Sequence, residues 1–427
     1  MDLKINMEIK RFEYKNCLAY LNCQNGKIIY ADREISEEKL KSYPGFNSIF
    51  TMPRFLSKYS VFYLGFDLSG KCNLACRYCF RNKNGEKTVN VNFIERTIRS
   101  FLSANKLCKR LFVDLSGSSE PLIAIDKILE VADICAKIKE ETKIDIVINF
   151  ICNGTLLDET AVSKLQSHNM LFGVSFDANS NIGDPSRCFP DGRDSRETVI
   201  ENINKIKDKH LLGVSMTLDN RFSGDLFESY MLLSKLAPTF SIRLCRNENL
   251  TYEENVLNDI KDGYSKVAKY ISETVNNNDF KFIFGFLNGD DSFAKIFVRV
   301  FSDLATSYPC EGLIGRFFFN GENVYPCAPA ASSKLFEANS ANESNKEFSL
   351  YSYSDVICHD CFARRFCGGE CPLVLKKEGV RDAFNCELRK YFVELSIQII
   401  IDIMDNKDYY KKVAELVWAR IKRNAVE

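Results

Sequence analysis

Three cysteines, Cys72, Cys76 and Cys79, stand within eight residues in the segment Gly70-Lys-Cys72-Asn-Leu-Ala-Cys76-Arg-Tyr-Cys79-Phe80. Thiolates are soft ligands, and three at this spacing can close around one corner of a cubane iron–sulfur cluster while its fourth iron stays open. An open iron is what substrate or cofactor coordination needs, by the logic that leaves one position vacant in a catalytic metal site. The competing reading is a zinc knuckle, but a knuckle calls for a fourth ligand close by.

A second group is denser. Cys358-His-Asp-Cys361 is followed by Cys367, Cys371 and Cys386 and preceded by Cys310 and Cys327. Seven thiols are too many for one tetrahedral site and nearly enough for two. A treble-clef or ribbon zinc domain is the bland alternative. The chain has 17 cysteines and three histidines (His168, His210, His359), so any metal site is mainly thiolate. His359 is read as a residue lying between two ligands.

Bulk properties narrow the classes. With 427 residues, 45% of them hydrophobic and 12% aromatic, the chain can bury one large core and one or two smaller ones. Lys+Arg and Asp+Glu are both 57, which supplies no basic field for gripping a phosphate backbone, so nucleic acid is not the expected partner. The N-terminus lacks the apolar stretch of a signal peptide, and Ile397 to Met404 is too short to span a bilayer. The reading is a cytoplasmic protein with no membrane partner, in which cysteines serve metal or redox chemistry rather than disulfides.

These cysteines need elements to place them. Val61–Leu68, Leu111–Leu115, Asp145–Cys152, Leu171–Asp177, Leu212–Leu218 and Phe240–Leu244 read as strands, with helices near 91–104, 124–141, 157–167, 195–208 and 224–236. Strands alternating with helices imply parallel pairing and right-handed crossovers, an open or closed βα barrel whose active site sits on the loops after the strands. The expected organisation is a small separate unit over 1–60 with a hairpin around Gln24-Asn25-Gly26 and a helix from Ser36. A barrel follows over 61–250, then a helical bridge over 251–309 and a cysteine-rich domain over 310–390. C-terminal helices fill 391–427, with Phe392, Leu395, Ile399 and Ile403 on one face.

The Cys-x-x-x-Cys-x-x-Cys spacing, the aromatic after its last cysteine and its place after the first strand together resemble the radical S-adenosylmethionine (SAM) superfamily. The resemblance implies a partial (β/α)6 TIM-like barrel, a catalytic [4Fe–4S] cluster on Cys72, Cys76 and Cys79, and SAM chelated at the open iron. Ser118-Ser119-Glu120-Pro121 stands where the family has Gly-Gly-Glu-Pro, a turn that meets the methionine amino group. Asn153-Gly154-Thr155 and Val174-Ser175-Phe176-Asp177 match segments after the third and fourth strands, and Asp184-x-x-Arg187 followed by Asp191-Gly192 matches the next. The cofactor contacts implied are Ser118, Ser119, Glu120, Asn153, Ser175 and Arg187, with Ser175 and Arg187 near the SAM carboxylate.

Residues 310–390 are similar to the SPASM domain, an auxiliary-cluster module. By that resemblance Cys310, Cys327 and Cys371 hold one auxiliary [4Fe–4S] cluster, Cys358, Cys361, Cys367 and Cys386 hold the other, and Gly321 is the family's glycine between Cys310 and Cys327. The first of these is one ligand short; its fourth iron is open, or a cysteine such as Cys245 completes it. Three [4Fe–4S] clusters and SAM are thus the implied cofactors, and an external flavodoxin or ferredoxin the implied electron donor.

The implied activity is reductive cleavage of SAM to a 5′-deoxyadenosyl radical that takes hydrogen from unactivated carbon. Relatives with this module mostly modify peptides, so the leading expectation is a maturase that installs a C–S or C–C crosslink in a ribosomally made, cysteine-rich precursor peptide. The N-terminal unit resembles a truncated leader-peptide recognition element. An anaerobic sulfatase maturase is the alternative, against which stands Ala328 where that group has an aspartate after the cysteine equivalent to Cys327. From another class comes a non-catalytic iron–sulfur electron carrier or redox sensor, in which Glu120, Asn153 and Ser175 would be incidental.

Overall fold

A computed structural model describes residues 9–46, 48, 60–81, 88–168, 170–178, 185–206, 211–219, 222, 224–245, 254–274, 280–306, 315–321, 323–338, 358–379 and 381–424. The chain opens with β1 (Ile9–Tyr14), β2 (Cys17–Asn22) and β3 (Ile28–Ala31), an antiparallel three-stranded sheet, followed by α1 (Glu37–Ser42). The hairpin read at Gln24-Asn25-Gly26 is the β2–β3 turn, in which Asn22 Oδ1 accepts the N–H groups of Gln24 and Asn25. Ser36 caps α1 as its type predicts. Strand β1 is an addition to the sequence reading: its alternation of half-buried and exposed positions is a weak signal beside that of β2.

The βα alternation then runs as read: β4 (Val61–Phe66), α2 (Val91–Ala104), β5 (Arg110–Asp114), α3 (Ile125–Thr142), β6 (Asp145–Cys152), α4 (Glu159–Ser167), β7 (Leu171–Ser175), α5 (Arg196–Ile206), β8 (Leu211–Leu218), α6 (Leu226–Leu236) and β9 (Phe240–Leu244). Five parallel pairings join β4 through β9 in chain order. Local chemistry starts the helices: Asn90, Asp158 and Asp225 each accept a backbone N–H of the first turn. On α2, Val91, Ile94, Ile98 and Leu102 make the buried stripe that a 3.6-residue period demands.

Beyond β9 come α7 (Glu254–Glu273), α8 (Phe280–Asn288) and α9 (Ser292–Phe301), the expected helical bridge. The cysteine-rich region then departs from the sequence reading. It opens with β10 (Arg316–Asn320) and β11 (Asn323–Tyr325), a hairpin turning at Gly321, and β10 pairs in parallel with β4. The main sheet therefore has eight strands in the order β11-β10-β4-β5-β6-β7-β8-β9 instead of six. Asn320-Gly321 is a hairpin signal that the cysteine pattern overshadowed. Gly65 makes the added pairing close: a Cβ there would stand 2.8 Å from the Phe318 ring.

Helices α10 (Ala328–Ser332), α11 (Arg364–Cys367), α12 (Pro372–Glu378), α13 (Ala383–Met404) and α14 (Lys407–Asn424) complete the chain. The tail does not carry one apolar face. Leu388, Phe392, Val393, Leu395, Ile397, Ile399, Ile400, Ile401 and Ile403 bury α13 all round, because β1, α7, α9 and α14 pack about it. The N-terminal unit packs against the rest of the chain. Ala19, Leu21 and Cys23 belong to the main core, and the buried Arg364 donates to the Cys23 carbonyl at 3.1 Å and to Gln24 Oε1 at 2.6 Å. Among the described residues, no helix is long and apolar enough to cross a membrane.

Candidate active site

The chain leaves β4 at Asp67, two residues before the backbone turns toward the first cysteine loop. Asp67 Oδ1 accepts the N–H groups of Ser69 and Gly70 at 3.2 and 2.9 Å, the turn that an Asp-x-Ser-Gly run favours. It also accepts the Ser119 hydroxyl at 2.5 Å, and Oδ2 the Ser118 N–H at 3.0 Å. One buried carboxylate thus ties the cysteine loop to the turn after β5. Gly117 allows this, since its φ is +58° and a Cβ there would meet the Asp67 carboxyl carbon at 2.8 Å. The sequence reading passed over Asp67, although its place between a strand and a Ser-Gly pair marks a turn.

A second tie comes from β6. Asn153 Nδ2 donates to Asn73 Oδ1 at 2.7 Å and lies 3.9 Å from Cys72 Sγ, while Asn73 donates to Thr155 Oγ1 at 2.7 Å. Glu120 joins the two turns: its carboxylate accepts the Asn153 N–H at 2.7 Å and the Leu122 N–H at 3.1 Å. Burial raises its carboxyl to about 7 against those hydrogen bonds. Glu120 is thereby a brace between loops. Ser118 is buried, and its hydroxyl has no hydrogen-bond partner among the described residues.

A third tie crosses the sheet. Tyr78, between Cys76 and Cys79, donates its hydroxyl to Asp177 Oδ2 at 2.8 Å and accepts from Arg187 Nη1 at 3.1 Å. Arg187 is half-buried, its Nε enclosed with no hydrogen-bond partner among the described residues. Burial drives the Cys76 thiol up to about 12, and the Arg187 guanidinium pulls it back. Burial also raises Cys72. Charge on Cys72 or Cys79 would push the Cys76 thiol further up, and Cys79 is exposed. Ser175 ends β7 half-buried opposite Ser215. Asp184 lies outside the described residues.

Tetrahedral zinc would draw its sulfurs to roughly 4 Å of one another. Among the described residues, no three His, Cys, Asp or Glu side chains converge in that way. A cubane carries its thiolates on separate irons and can be held by three of them, which leaves one iron open. The donor chemistry here therefore fits a three-cysteine cluster, and loading it must displace protons that burial holds on Cys72 and Cys76.

In the second group Cys367 ends α11, Cys386 lies in the first turn of α13, and Cys358 and Cys361 precede α11. Cys358, Cys361, Cys367 and Cys386 are close enough that Cys367 raises each of the other three thiols, after burial, which takes Cys386 to about 12. Cys371 heads α12 and Cys327 heads α10, and both helices pack on the small core of Phe318, Tyr325, Ala330, Ala331 and Phe336. Cys310 lies outside the described residues. The Cys245 thiol stands 3.9 Å from the Tyr78 carbonyl, against the first cysteine loop. His359 is exposed beside Asp360.

Parts of the chain are similar to known proteins. The radical SAM superfamily profile matches residues 67–220. A 160-residue stretch is 28% identical to the radical SAM cyclopropyl synthase TigE of Paramaledivibacter caminithermalis, covering 34% of this chain and 32% of that one. Another of 143 residues is 27% identical to the cysteine-type anaerobic sulfatase-maturating enzyme of Clostridium novyi, covering 32% and 37%. The chain thus spans about a third of the length of these two enzymes. The fold is shared with anSMEcpe bound to AdoMet, at a TM-score of 0.64 and 17% identity over 81% of this chain and 99% of that one. It is also shared with Streptococcus suis SuiB bound to its precursor peptide SuiA, at 0.53 and 14% over 88% and 99%. Residues 67–220 are a radical SAM domain.

Proposed function

We propose that this enzyme is a peptide maturase that installs a crosslink, a thioether or a carbon–carbon bond, in a ribosomally made precursor peptide. The observation that carries the reading is the wiring of the Cys72–Cys79 loop to three strand ends, through Asp67, Asn153 and Tyr78. When bound at the three thiolates, a reduced [4Fe–4S] cluster with SAM supplies a 5′-deoxyadenosyl radical that abstracts hydrogen from carbon. The chain's own residues position and shield that chemistry. Asp67, Glu120 and Asn153 hold the loops in register. Ser118, Ser119, Ser175 and Arg187 line the place of the cofactor's methionine part, with the guanidinium facing its carboxylate.

In this reading the thiols of residues 358–386 hold an auxiliary cluster. Cys310, Cys327 and Cys371 hold another, whose open iron would grip a substrate thiolate and favour thioether formation on a cysteine-rich peptide. An external flavodoxin or ferredoxin supplies electrons. The division into 1–60, 61–250, 251–309, 310–390 and 391–427 is part of the same proposal. Relatives such as TigE and SuiB, a cyclopropyl synthase and a protein bound to its precursor peptide, support the substrate class. The relatives among anaerobic sulfatase maturases keep that activity as a second reading. Against it stands Ala328, which opens α10 beside a small apolar core where that group carries an aspartate.

The test is anaerobic reconstitution. The protein is expected to bind three four-iron clusters and, with dithionite and SAM, to release 5′-deoxyadenosine, which Cys76→Ala abolishes. A Cys72/Cys76/Cys79 triple alanine variant that still makes 5′-deoxyadenosine would sink the assignment. A precursor peptide treated with the enzyme should lose two mass units per crosslink.

A further inference from the structure

Cations crowd the thiols of Cys358, Cys361, Cys367 and Cys386. Arg389, one turn beyond Cys386 on α13, is buried and donates from Nη1 to Cys367 Sγ at 3.4 Å and to the Gly369 carbonyl at 2.8 Å. Its Nη2 faces Glu370 Oε1 at 3.6 Å. Glu370, also buried, takes the Cys371 N–H on Oε1 at 2.7 Å and the Asp382 N–H on Oε2 at 3.2 Å. The carboxylate therefore fixes the start of α13 against the cysteine loop and holds the guanidinium on the sulfur. The Arg381 guanidinium lowers the Cys358 thiol against its burial, and Lys390, paired with Glu387 at 2.7 Å, acts on Cys361 and Cys386. At the first cysteine site the comparable cation, Arg187, is faced by the buried acids Asp177 and Glu120.

We propose that Arg389, held by Glu370, is a positioning residue that raises the reduction potential of the centre on Cys358, Cys361, Cys367 and Cys386. This centre is then reduced more readily than the one on Cys72, Cys76 and Cys79. The proposal rests on the reading that these four cysteines hold an iron–sulfur cluster. Reduction adds one negative charge to such a centre. A buried cation and an N–H bond to a ligand sulfur stabilise that charge, and net charge, hydrogen bonds to sulfur and solvent exposure are the levers that set these potentials. A buried guanidinium does so more strongly than an exposed one, since less water screens it.

The experiment is a redox titration of the reconstituted full-length protein followed by electron paramagnetic resonance, with iron counted in every sample. The signal lost in Cys361→Ala is the one to follow. It is expected to be reduced at a higher potential than the signal lost in Cys76→Ala. Arg389→Gln should move it to lower potential at unchanged iron content, and Arg389→Lys, which keeps the charge, should restore most of the shift. Arg381→Gln, at an exposed position that does not threaten folding, should give a smaller shift in the same direction. An unmoved potential at full iron content in Arg389→Gln overturns the proposal. Should that variant not fold, an unmoved potential in Arg381→Gln overturns it. Unchanged iron in Cys361→Ala overturns the cluster reading instead, which distinguishes the two failures.

Discussion

At the scale of single residues, the site is a set of buried polar groups whose partners are other loops. Glu120 is the sharpest case. Its carboxyl titrates at about 7 in the fold because burial outweighs the two N–H groups it accepts. Below the unfolded value of 4.5 the group is protonated in both states and adds no pH dependence. As pH rises from there to about 7 the unfolded chain ionises first, so the fold loses stability; above 7 the loss is constant. Glu120→Gln cannot ionise. Melting temperatures of the cluster-free protein should show its stability relative to wild type increasing between pH 5 and 8, by at most about 3 kcal/mol. A relative stability that is flat across this window would contradict the burial argument. The ligand types were legible from spacing alone, but Asp67, Tyr78 and Arg389 were not, because each acts on a residue far away in the chain.

At the scale of elements, strand and helix periods identified β4 through β9 and α2 through α6 correctly, since each buries its own apolar stripe. Two elements were misread. Helix α13 lost its expected polar face because other elements enclose it, and β10 was hidden inside a cysteine pattern. The β4–β10 pairing depends on the bare Gly65. Gly65→Ala would press a methyl on Phe318 and should cost about 1–3 kcal/mol, read as a lower urea midpoint. An unchanged midpoint would mean that the hairpin docks without close contact. The same pairing ties the small core beside Cys327 and Cys371 to the barrel sheet.

At the scale of the whole molecule, the first and last quarters of the chain meet. Arg364 holds the β2–β3 turn through the Cys23 carbonyl and Gln24, and reaches the His359 carbonyl at 2.7 Å; Arg365 Nε adds a bond to the Gln24 carbonyl at 2.7 Å. These bonds link the N-terminal sheet directly to the cysteine-rich segment. Arg364→Ala should lower stability by roughly 2–4 kcal/mol, because bonds to a buried charged group are among the stronger ones and their acceptors would be left unsatisfied. It should also lower the iron retained at Cys358 and Cys361, measured after desalting. A loss of stability with full iron retention would separate the N-terminal sheet from the second thiol group.

Read alone, the sequence determined the spacing of the cysteines and the alternating strands and helices of the barrel. Each of these follows from spacing and periodicity within short stretches. Only the tertiary structure decided how the loops are tied, which strand extends the sheet and where the N-terminal unit packs. It also decided which cations face the second thiol group. Those depend on contacts between residues tens to hundreds of positions apart, and such contacts leave no period and no fixed spacing to read. The hydrogen bonds of Asp67, Asn153, Tyr78 and Arg187 around the first cysteine loop, and of Glu120 between its neighbours, are of this kind.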